Sequence, residues 1–582
     1  MVSYHNPLEG QIKPSSSSHH QKSKKMSLIP LTSMAITDNC SITQDLSLHS
    51  NASEHRNCPN KDCSIEYLDE FYMEHAQNLT DVKYLLKSKD GKDSLEGLIM
   101  VDTMQRLGID NHFHEEIQSF LESQLITMID TGVHQYKGLF ENSLRFRLLR
   151  QEGYYVPADR VFGYLMAENR KFKNIVGEDI SGLMALYEAS QLSIKGENIL
   201  EEAAKFSSQI LNEKMAFVDQ HQDRTARYTL RHPYHKSLAK IMARNYIKDF
   251  NAPDGWQHAL LELANSDFNM VRSIHQKELS QFSRWWKDLG LTRELKLVRD
   301  QPLKWYMGPM AALTDLSMSE QRIELTKAIS LIYIIDDIFD IYGTVDELTL
   351  FTEAVNRWDM AAMEQLPGYM KMCFKALYDV TNEIGKMVYK KHGLNLADSL
   401  QKSWASLCDA FLVEAKWFAS GHLPKPEEYL RNGIVSSGMH VVLVHIFFLL
   451  REGENFEYEN SGIISSLATI LRLWDDLGSA KDENQDGNDG SYIKCFMNEH
   501  QGITIDIARQ HVTHMISEAW KCLNKECLLP NPFSATFTKA ALNLARMVPL
   551  MYSYDDNHRL PVLEDYIKSM FSDHIPLEGS LY

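Results

Sequence analysis

Apolar residues recur at three- and four-residue spacing from about residue 65 to the C-terminus, and few Gly or Pro residues interrupt them. This spacing is typical of amphipathic helices, whereas half-buried strands show strict alternation of apolar and polar positions. No such alternating series stands out, and no fixed-period repeat suggests a solenoid. The pattern therefore predicts an all-α protein.

With 582 residues, the chain is too long for one ordinary domain. We predict two α-helical domains that meet near residues 265–271. The N-terminal helical domain would cover residues 57–268, and the C-terminal helical bundle would cover residues 269–582.

The N-terminal end differs in composition from the rest of the chain. Its first 37 residues are rich in Ser, His and Lys, and Glu9 is their only acidic residue. We predict a disordered leader over residues 1–56. A Ser-rich, acid-poor leader fits an organelle transit peptide, but the lack of Arg in the first 37 residues fits an untargeted tail equally well. Plastid and cytoplasm therefore both remain open as locations.

The formal net charge of −18 argues against nucleic acid and anionic membranes as partners. The most apolar run, Val441–Leu450, is too short to cross a bilayer, and we interpret it as a buried helix segment. Eight scattered cysteines fit a reduced intracellular protein. An acidic protein that binds a phosphate ester needs local Arg or Lys side chains, or metal cations.

A first helix with chemical interest is predicted between Ser317 and Tyr342, a stretch without Gly or Pro. Ser317 and Glu320 fit an N-terminal capping box, and Gly343 fits a C-terminal cap. The many Ile residues could indicate a strand, but more than twenty unbroken residues favour a helix.

Three carboxylates, Asp336, Asp337 and Asp340, lie inside the apolar part of this helix. Asp336 and Asp340 are four residues apart and therefore share a helix face. Burying such groups unpaired is costly, and divalent cations with oxygen ligands relieve that cost. A solvated acidic face is the alternative interpretation, and the surrounding Ile residues favour the metal site.

A second set of oxygen ligands lies on an amphipathic helix near residue 470. Asp475, Ser479 and Glu483 follow one another at four-residue spacing and line one face. Arg472, one turn earlier, is suited to binding a phosphate oxygen. These residues predict a second set of metal ligands, with an arginine that could bind a phosphate ester.

The two strings, Asp336-Asp337-x-x-Asp340 and Asp475-x3-Ser479-x3-Glu483, resemble the magnesium motifs of class I terpene synthases. The resemblance extends from about residue 65 to residue 582. Further segments look like signatures of the plant members of that family: Leu144–Arg150, Leu186–Ser190, His275–Leu279 and Arg284–Trp286.

The resemblance implies an N-terminal domain with little direct chemistry and a C-terminal domain with the active site. It implies three Mg²⁺ ions, with Mn²⁺ as an alternative, and geranyl or farnesyl diphosphate as the substrate of a monomeric enzyme. The implied metal ligands are Asp336, Asp337, Asp340, Asp475, Ser479 and Glu483. The implied substrate-binding residues are Arg299, Asp336, Asp340, Arg472 and Asp475, and the implied catalytic residues are Arg299, Arg472 and Asp556.

Three departures from the family pattern bear on the product. Gln301 replaces the second Arg of an Arg-x-Arg motif that begins at Arg299, and Gly308 stands where many members have Trp. The tandem-arginine element of cyclising monoterpene synthases is absent from the sequence. These features resemble the plant subfamily that makes acyclic tertiary alcohols such as linalool and nerolidol.

Aromatic residues near the motifs have two interpretations. Trp305, Tyr333 and Phe339 either face a carbocation or belong to the core. By resemblance, Tyr552 and Asp556 line the pocket from a lid, although a polar turn after a helix has the same composition.

Other functions remain open at this stage. A prenyl chain-elongating synthase shares the ionisation chemistry but normally carries two aspartate-rich motifs. A synthase with other acyclic or cyclic mono- or sesquiterpene products is the nearer alternative, and a non-catalytic helical scaffold is the more distant one. The sequence leaves the choice between the C10 and C15 substrates open.

Overall fold

The computed structural model describes residues 63–88, 95–131, 138–166, 172, 179–217, 219–249, 255–296, 298–393, 397–453, 461–482, 491–553 and 560–571. The leader predicted over residues 1–56 lies outside these ranges. Within them, helices dominate, and the extended pairing there is one isolated bridge between Met166 and Phe172. The all-α prediction is confirmed.

Nine helices precede a long central helix within the described residues, and all but the eighth pack around a common apolar core. They are α1 (Cys63–Ser88), α2 (Leu95–Leu107), α3 (His114–Thr131), α4 (Leu139–Gln151), α5 (Ala158–Phe162), α6 (Ile180–Ser190), α7 (Asn198–Lys214), α8 (Gln220–Arg231) and α9 (Ala239–Asp249).

The central helix α10 (Trp256–Leu289) is 34 residues long. Its N-terminal half contributes Leu260 and Leu263 to the first core, and its C-terminal half contributes Phe282 and Trp286 to a second core. The helix runs without a break through residues 265–271, where the sequence suggests a domain boundary. One rigid element is therefore shared by both halves of the chain.

A bundle is formed by the remaining helices, all but the last of which contribute to the second core. They are α11 (Leu291–Glu294), α12 (Pro302–Ala312), α13 (Ser319–Asp337), α14 (Val345–Arg357), α15 (Gly368–His392), α16 (Ala397–Ser420), α17 (Pro426–Ser436), α18 (Met439–Leu450), α19 (Gly462–Asp482), α20 (Tyr492–Glu499), α21 (Ile505–Leu528), α22 (Ala535–Tyr552) and α23 (Pro561–Phe571).

A buried polar cluster fixes α12 and α13 against α10. Arg322 donates to both oxygens of Glu278, at 2.9 and 2.7 Å. Tyr306 also donates to Glu278, and its hydroxyl lies 2.6 Å from His275 Nδ1. His275 and Glu278 belong to a segment that resembles a family signature, and their role in the structure is to orient two helices.

The arginines of the signature Leu144–Arg150 are likewise structural. Arg147 contacts Asp102 and donates to Gln105, which joins α4 to α2. Arg150 binds Glu197 and donates to the carbonyl oxygen of Val156. Buried guanidinium groups need several such partners, and these bonds supply them.

The segment Pro426–Leu450 is long and apolar enough to pass a composition test for a membrane-spanning helix. However, 78% of its most apolar window is buried inside the protein, as in the core helix of a soluble protein. Its backbone is also interrupted at Gly438, which has φ of 70° and separates α17 from α18. The predicted burial of this apolar run is confirmed from Val441 to Leu449, and Leu450 is partly buried.

The predicted helix between Ser317 and Tyr342 differs from the observed one at both ends. A 3-10 turn precedes α13, whose N-cap Met318 makes no side-chain cap bond, so the capping box of Ser317 and Glu320 is wrong. At the C-terminal end the α-helix changes to a π turn, Ile338–Tyr342, closed by a bond from Gly343 N to Ile338 O. Gly343 ends the element with negative φ, not as a left-handed cap.

Candidate active site

The C-terminal bundle contains a pocket between α12, α13, α18, α19 and α22, with about 870 Å³ of empty space that includes its opening to solvent. Most of its lining is apolar, and polar groups are concentrated on α12 and α19. The lining residues are Lys304, Trp305, Gly308, Ile329, Ile332, Tyr333, Ser437, Met439, Val442, Leu471, Arg472, Asp475, Leu544, Met547, Val548, Met551 and Tyr552.

The first carboxylate set lies at the end of α13 and is held by Arg299. Arg299 Nη2 lies 2.5 Å from Asp336 Oδ2, and Nε lies 2.8 Å from Asp337 Oδ1. The backbone amide of Arg299 also donates to Asp337 Oδ2, at 2.8 Å. Asp337 is therefore engaged by Arg299 on both oxygens, whereas Asp336 is bound to Arg299 through one oxygen.

The environment of these carboxylates disfavours their charged forms. Burial raises the pKa of Asp337 to about 6, although Arg299 opposes the rise. Burial, together with the negative charge of Asp336, raises the pKa of Asp340 well above its ordinary value. Asp340 lies in the π turn, one turn beyond Asp336. Crowded carboxylates of this kind are a donor set that suits divalent cations.

The second wall is formed by α19, where Arg472 and Asp475 face the cavity. Arg472 Nη1 lies 3.5 Å from Asp475 Oδ2, and Arg472 Nη2 donates to Ser436 Oγ at 2.9 Å. Arg472 Nε donates to the carbonyl oxygen of Gly433 at 3.4 Å. A Cβ atom at Gly433 would lie 3.1 Å from that nitrogen, so Gly433 leaves room for the guanidinium group.

Electrostatic coupling joins the two walls. Burial raises the pKa of Asp475 to about 7, with further increases from Asp476 and from Asp336 on the facing wall. Arg472 and Lys304 partly oppose this rise. Buried oxygen ligands that repel one another across a cavity fit hard divalent cations such as Mg²⁺. The donor set therefore suits the ions that the sequence predicts.

Two further charged residues in this region were not singled out from the sequence. Lys304 on α12 lines the cavity and acts on Asp475 electrostatically. Glu414 on α16 accepts a bond from Ser436 Oγ at 2.6 Å and acts electrostatically on Arg472 and Asp336. The signal for Glu414 is a single acid within the otherwise apolar stretch Phe411–Trp417, interrupted only by it and Lys416.

Not all predicted site residues fall within the described ranges. Ser479 belongs to α19 one turn beyond Asp475, but its side chain lies outside the described part of the chain. Glu483 and Asp556 lie outside the described residues altogether. The structure brings together the other predicted residues, namely Arg299, Asp336, Asp337, Asp340, Arg472 and Asp475.

The aromatic residues divide between cavity and core. Trp305, Tyr333 and Tyr552 line the cavity. The guanidinium carbon of Arg299 also lies over the ring of Tyr333, 4.9 Å from the ring centroid. Phe339 packs instead against Phe351 and Phe411, with ring centroids 6.1 and 5.6 Å away.

Comparison with known proteins gives matches to two family models. Residues 50–231 match the terpene synthase N-terminal domain, and residues 287–522 match the metal binding domain of the terpene synthase family. The second region contains α13 and α19, which carry the two carboxylate sets.

Several plant proteins are similar over most of this chain. Probable terpene synthase 13 of Ricinus communis is 58% identical and covers 85% of this chain and 87% of that protein. An (E)-nerolidol synthase of Cannabis sativa is 51% identical, with coverages of 85% and 91%. The chloroplastic S-(+)-linalool synthase of Arabidopsis thaliana is 48% identical, with coverages of 87% and 88%.

The fold is also similar to a solved structure. Isoprene synthase from grey poplar leaves, in complex with three Mg²⁺ ions and dimethylallyl-S-thiolodiphosphate, aligns with a TM-score of 0.80. The two chains are 32% identical, and the alignment covers 87% of this chain and 98% of that one.

Proposed function

This chain belongs to the terpene synthase family, and from that premise we propose that it ionises geranyl or farnesyl diphosphate and adds water to the cation. The products would be the acyclic tertiary alcohols linalool, from the C10 substrate, and nerolidol, from the C15 substrate. Relatives that bear the names of both synthases, each about half identical to this chain, support this choice.

One observation carries the proposal. Carboxylates of two separate helices, represented by Asp336 and Asp475, act on each other across an apolar cavity that also contains an arginine. Such an arrangement provides a charged end for a diphosphate and an apolar space for a hydrocarbon chain. Neither a scaffold nor a simple phosphate-binding protein needs both parts.

We assign the metal ligands to both walls. Asp336 and Asp340 would bind Mg²⁺ from one side, and Asp475, Ser479 and Glu483 from the other, with three ions in total and Mn²⁺ as an alternative. The bound ions would neutralise the charge that develops on the departing diphosphate. Asp337 would support the first wall through Arg299.

The cationic side chains would hold the diphosphate by hydrogen bonds. Arg472 presents a planar fork whose orientation is fixed by Gly433 and Ser436. Arg299 would contribute from the first wall and Lys304 from α12. These donors and the ions together account for diphosphate binding by a chain with a net charge of −18.

The cavity wall would determine the fate of the allylic cation. Gly308 leaves open space beside Ile329, and it supplies neither bulk nor an aromatic face that would fold the chain back on itself. Attack of a water oxygen on C3, followed by loss of a proton, then competes well with ring closure. Asp556, which resembles a lid residue, would help to close the cavity.

Incubation of the purified chain with geranyl and farnesyl diphosphates, followed by mass spectrometry of the products, tests this function. We expect linalool and nerolidol with Mg²⁺ and no product after chelation with EDTA. Addition of isopentenyl diphosphate would give longer prenyl diphosphates only if the chain were an elongating synthase. A profile dominated by cyclic hydrocarbons would contradict the product proposal and leave the ionisation step intact.

We further propose a domain division at residues 57–268 and 269–582 after a leader of residues 1–56. The enzyme would be a monomer that needs neither a membrane nor nucleic acid. The Arabidopsis relative is described as chloroplastic, which supports a plastid location over the cytoplasm. Fluorescent fusions with and without residues 1–56 would test the location, and light scattering after gel filtration would test the monomer.

A further inference from the structure

A chain of hydrogen bonds runs from Arg472 to a carboxylate on a different helix. Arg472 Nη2 donates to Ser436 Oγ at 2.9 Å, and Ser436 Oγ donates to Glu414 Oε1 at 2.6 Å. Asn432 Nδ2 donates to the same oxygen at 3.0 Å. An arginine has no acceptor, so the hydroxyl of Ser436 must accept from Arg472 and donate to Glu414.

These hydrogen bonds fix the plane of the Arg472 guanidinium group. Ser436 holds Nη2, the carbonyl oxygen of Gly433 holds Nε, and Asp475 pairs with Nη1 at 3.5 Å. Nη2 carries a second N–H, because a guanidinium has five donors in a rigid fork. A fork that is fixed in advance loses less entropy when it binds an oxyanion.

The carboxylates of the first wall also influence the pKa of Glu414. Burial raises the pKa of Glu414, and the charge of Asp336 raises it further, whereas Arg472, Ser436 and Asn432 lower it. The negative charge of Glu414 in turn raises the pKa of Asp340. Glu414 thus lies within electrostatic range of both carboxylate walls, and its hydrogen bond with Ser436 connects it to Arg472 on the second wall.

We propose that Glu414 and Ser436 are positioning residues that orient Arg472 toward the diphosphate. The inference rests on the function proposed above. Its distinctive consequence is that both residues act through Arg472, and they touch neither the substrate nor the metal ions.

Inhibition by inorganic pyrophosphate with Mg²⁺ tests the inference, because it reports diphosphate binding separately from chemistry. Ser436→Ala should raise the inhibition constant by roughly tenfold and lower kcat/KM by a similar factor, as expected for loss of a bond to a charged group. Ser436→Thr keeps the hydroxyl and should recover most of the loss. Glu414→Gln should weaken pyrophosphate inhibition in the same direction.

Ser403→Ala is a matched control on the same helix as Glu414. The buried hydroxyl of Ser403 donates a hydrogen bond to the carbonyl oxygen of Leu400 in the same helix, at 2.7 Å. Loss of this bond should leave pyrophosphate inhibition unchanged. Thermal melting of each variant separates a loss of fold from a loss of orientation.

A double-mutant cycle decides whether Ser436 acts through Arg472. Adding Ser436→Ala to Arg472→Lys should cause little further loss, because the fork that Ser436 orients is already gone. Fully additive losses, or unchanged pyrophosphate inhibition in Ser436→Ala, would overturn the inference. A wild-type chain that releases no diphosphate from either substrate would instead refute the proposed function, so the two failures are distinguishable.

Discussion

Arg299 holds Asp337 by both its backbone and its side chain, with N and Nε each 2.8 Å from a different carboxylate oxygen. This contact separates two adjacent aspartates by role. Asp337 is committed to the arginine that precedes α12, and Asp336 shares only one of its oxygens with that arginine. The two residues should therefore respond differently to substitution.

The first prediction compares these aspartates. Asp336→Ala should nearly abolish turnover without unfolding the chain, because Arg299 keeps Asp337 as its partner when Asp336 is removed. Asp337→Asn should be milder, with a roughly 10–100-fold weaker affinity for Mg²⁺, as is usual for residues that orient ligands. Steady-state rates over a range of Mg²⁺ concentrations, with circular dichroism as the folding control, measure both effects. Wild-type activity in Asp336→Ala would show that the metal assignment is wrong.

The second prediction concerns Arg472. Arg472→Lys should lower kcat/KM, because lysine cannot reproduce the planar fork of the guanidinium group. The expected loss of transition-state stabilisation is roughly 1.5–3 kcal/mol. The matched control is Arg293→Lys, which changes an exposed arginine at the end of α11 and should be silent. If the two variants gave equal kcat/KM values, Arg472 would have a structural role only.

The third prediction concerns the size of the cavity. A Cβ atom at Gly308 would lie 3.5 Å from Ile329 Cδ1, which is ordinary van der Waals contact. Gly308→Ala should therefore be tolerated, whereas Gly308→Trp should fill the cavity and discriminate against the C15 substrate. Competition between the two diphosphates in one reaction measures the preference. A Trp variant with the wild-type C15 to C10 ratio would place residue 308 outside the chain-binding space.

The fourth prediction concerns stability and pH. Burial acts to raise the pKa of Glu278, but bonds from Arg322 and His275 outweigh it and lower the pKa from 4.5 to about 2. A depressed pKa gives stability that is present above the unfolded value of 4.5 and is lost as the pH falls toward 2. Glu278→Gln should thus destabilise the chain by about 3–5 kcal/mol at neutral pH, since Arg322 stays buried.

Melting temperatures of wild type and Glu278→Gln between pH 7 and pH 3 check this. We expect the gap between them to narrow below about pH 4.5. Glu353→Gln on the exposed face of α14 is the control and should shift neither curve. A gap that stays constant over the whole range would show that the charge of Glu278 is not the source of its contribution.

Local spacing was sufficient to find much of the site. Asp336 and Asp475 are recognisable because each lies in an amphipathic helix where a carboxylate is costly, and helical periodicity places it on the buried face. The same logic located Arg472 one turn before Asp475. These features depend on residues a few positions apart, which the sequence shows directly.

Features that depend on tertiary contacts could not be predicted from the sequence. The change from α to π geometry at Ile338, with its hydrogen bond from Gly343 N to Ile338 O, is not predicted by helix propensity. The engagement of Arg299 by Asp337 spans 38 residues. Glu414 reaches Arg472 only through Ser436, so nothing near Glu414 in the sequence points to that arginine.

The unbroken course of α10 has a practical consequence for anyone who wishes to dissect the chain. A cut between residues 268 and 269 would divide a continuous helix near its middle. Leu260 and Leu263 would remain on one fragment, and Phe282 and Trp286 on the other. Each fragment would then end in a new helix terminus whose backbone N–H or C=O groups lack hydrogen-bond partners. We therefore expect a recombinant fragment that starts at residue 269 to aggregate, and a fragment that retains all of α10 to be the better starting point.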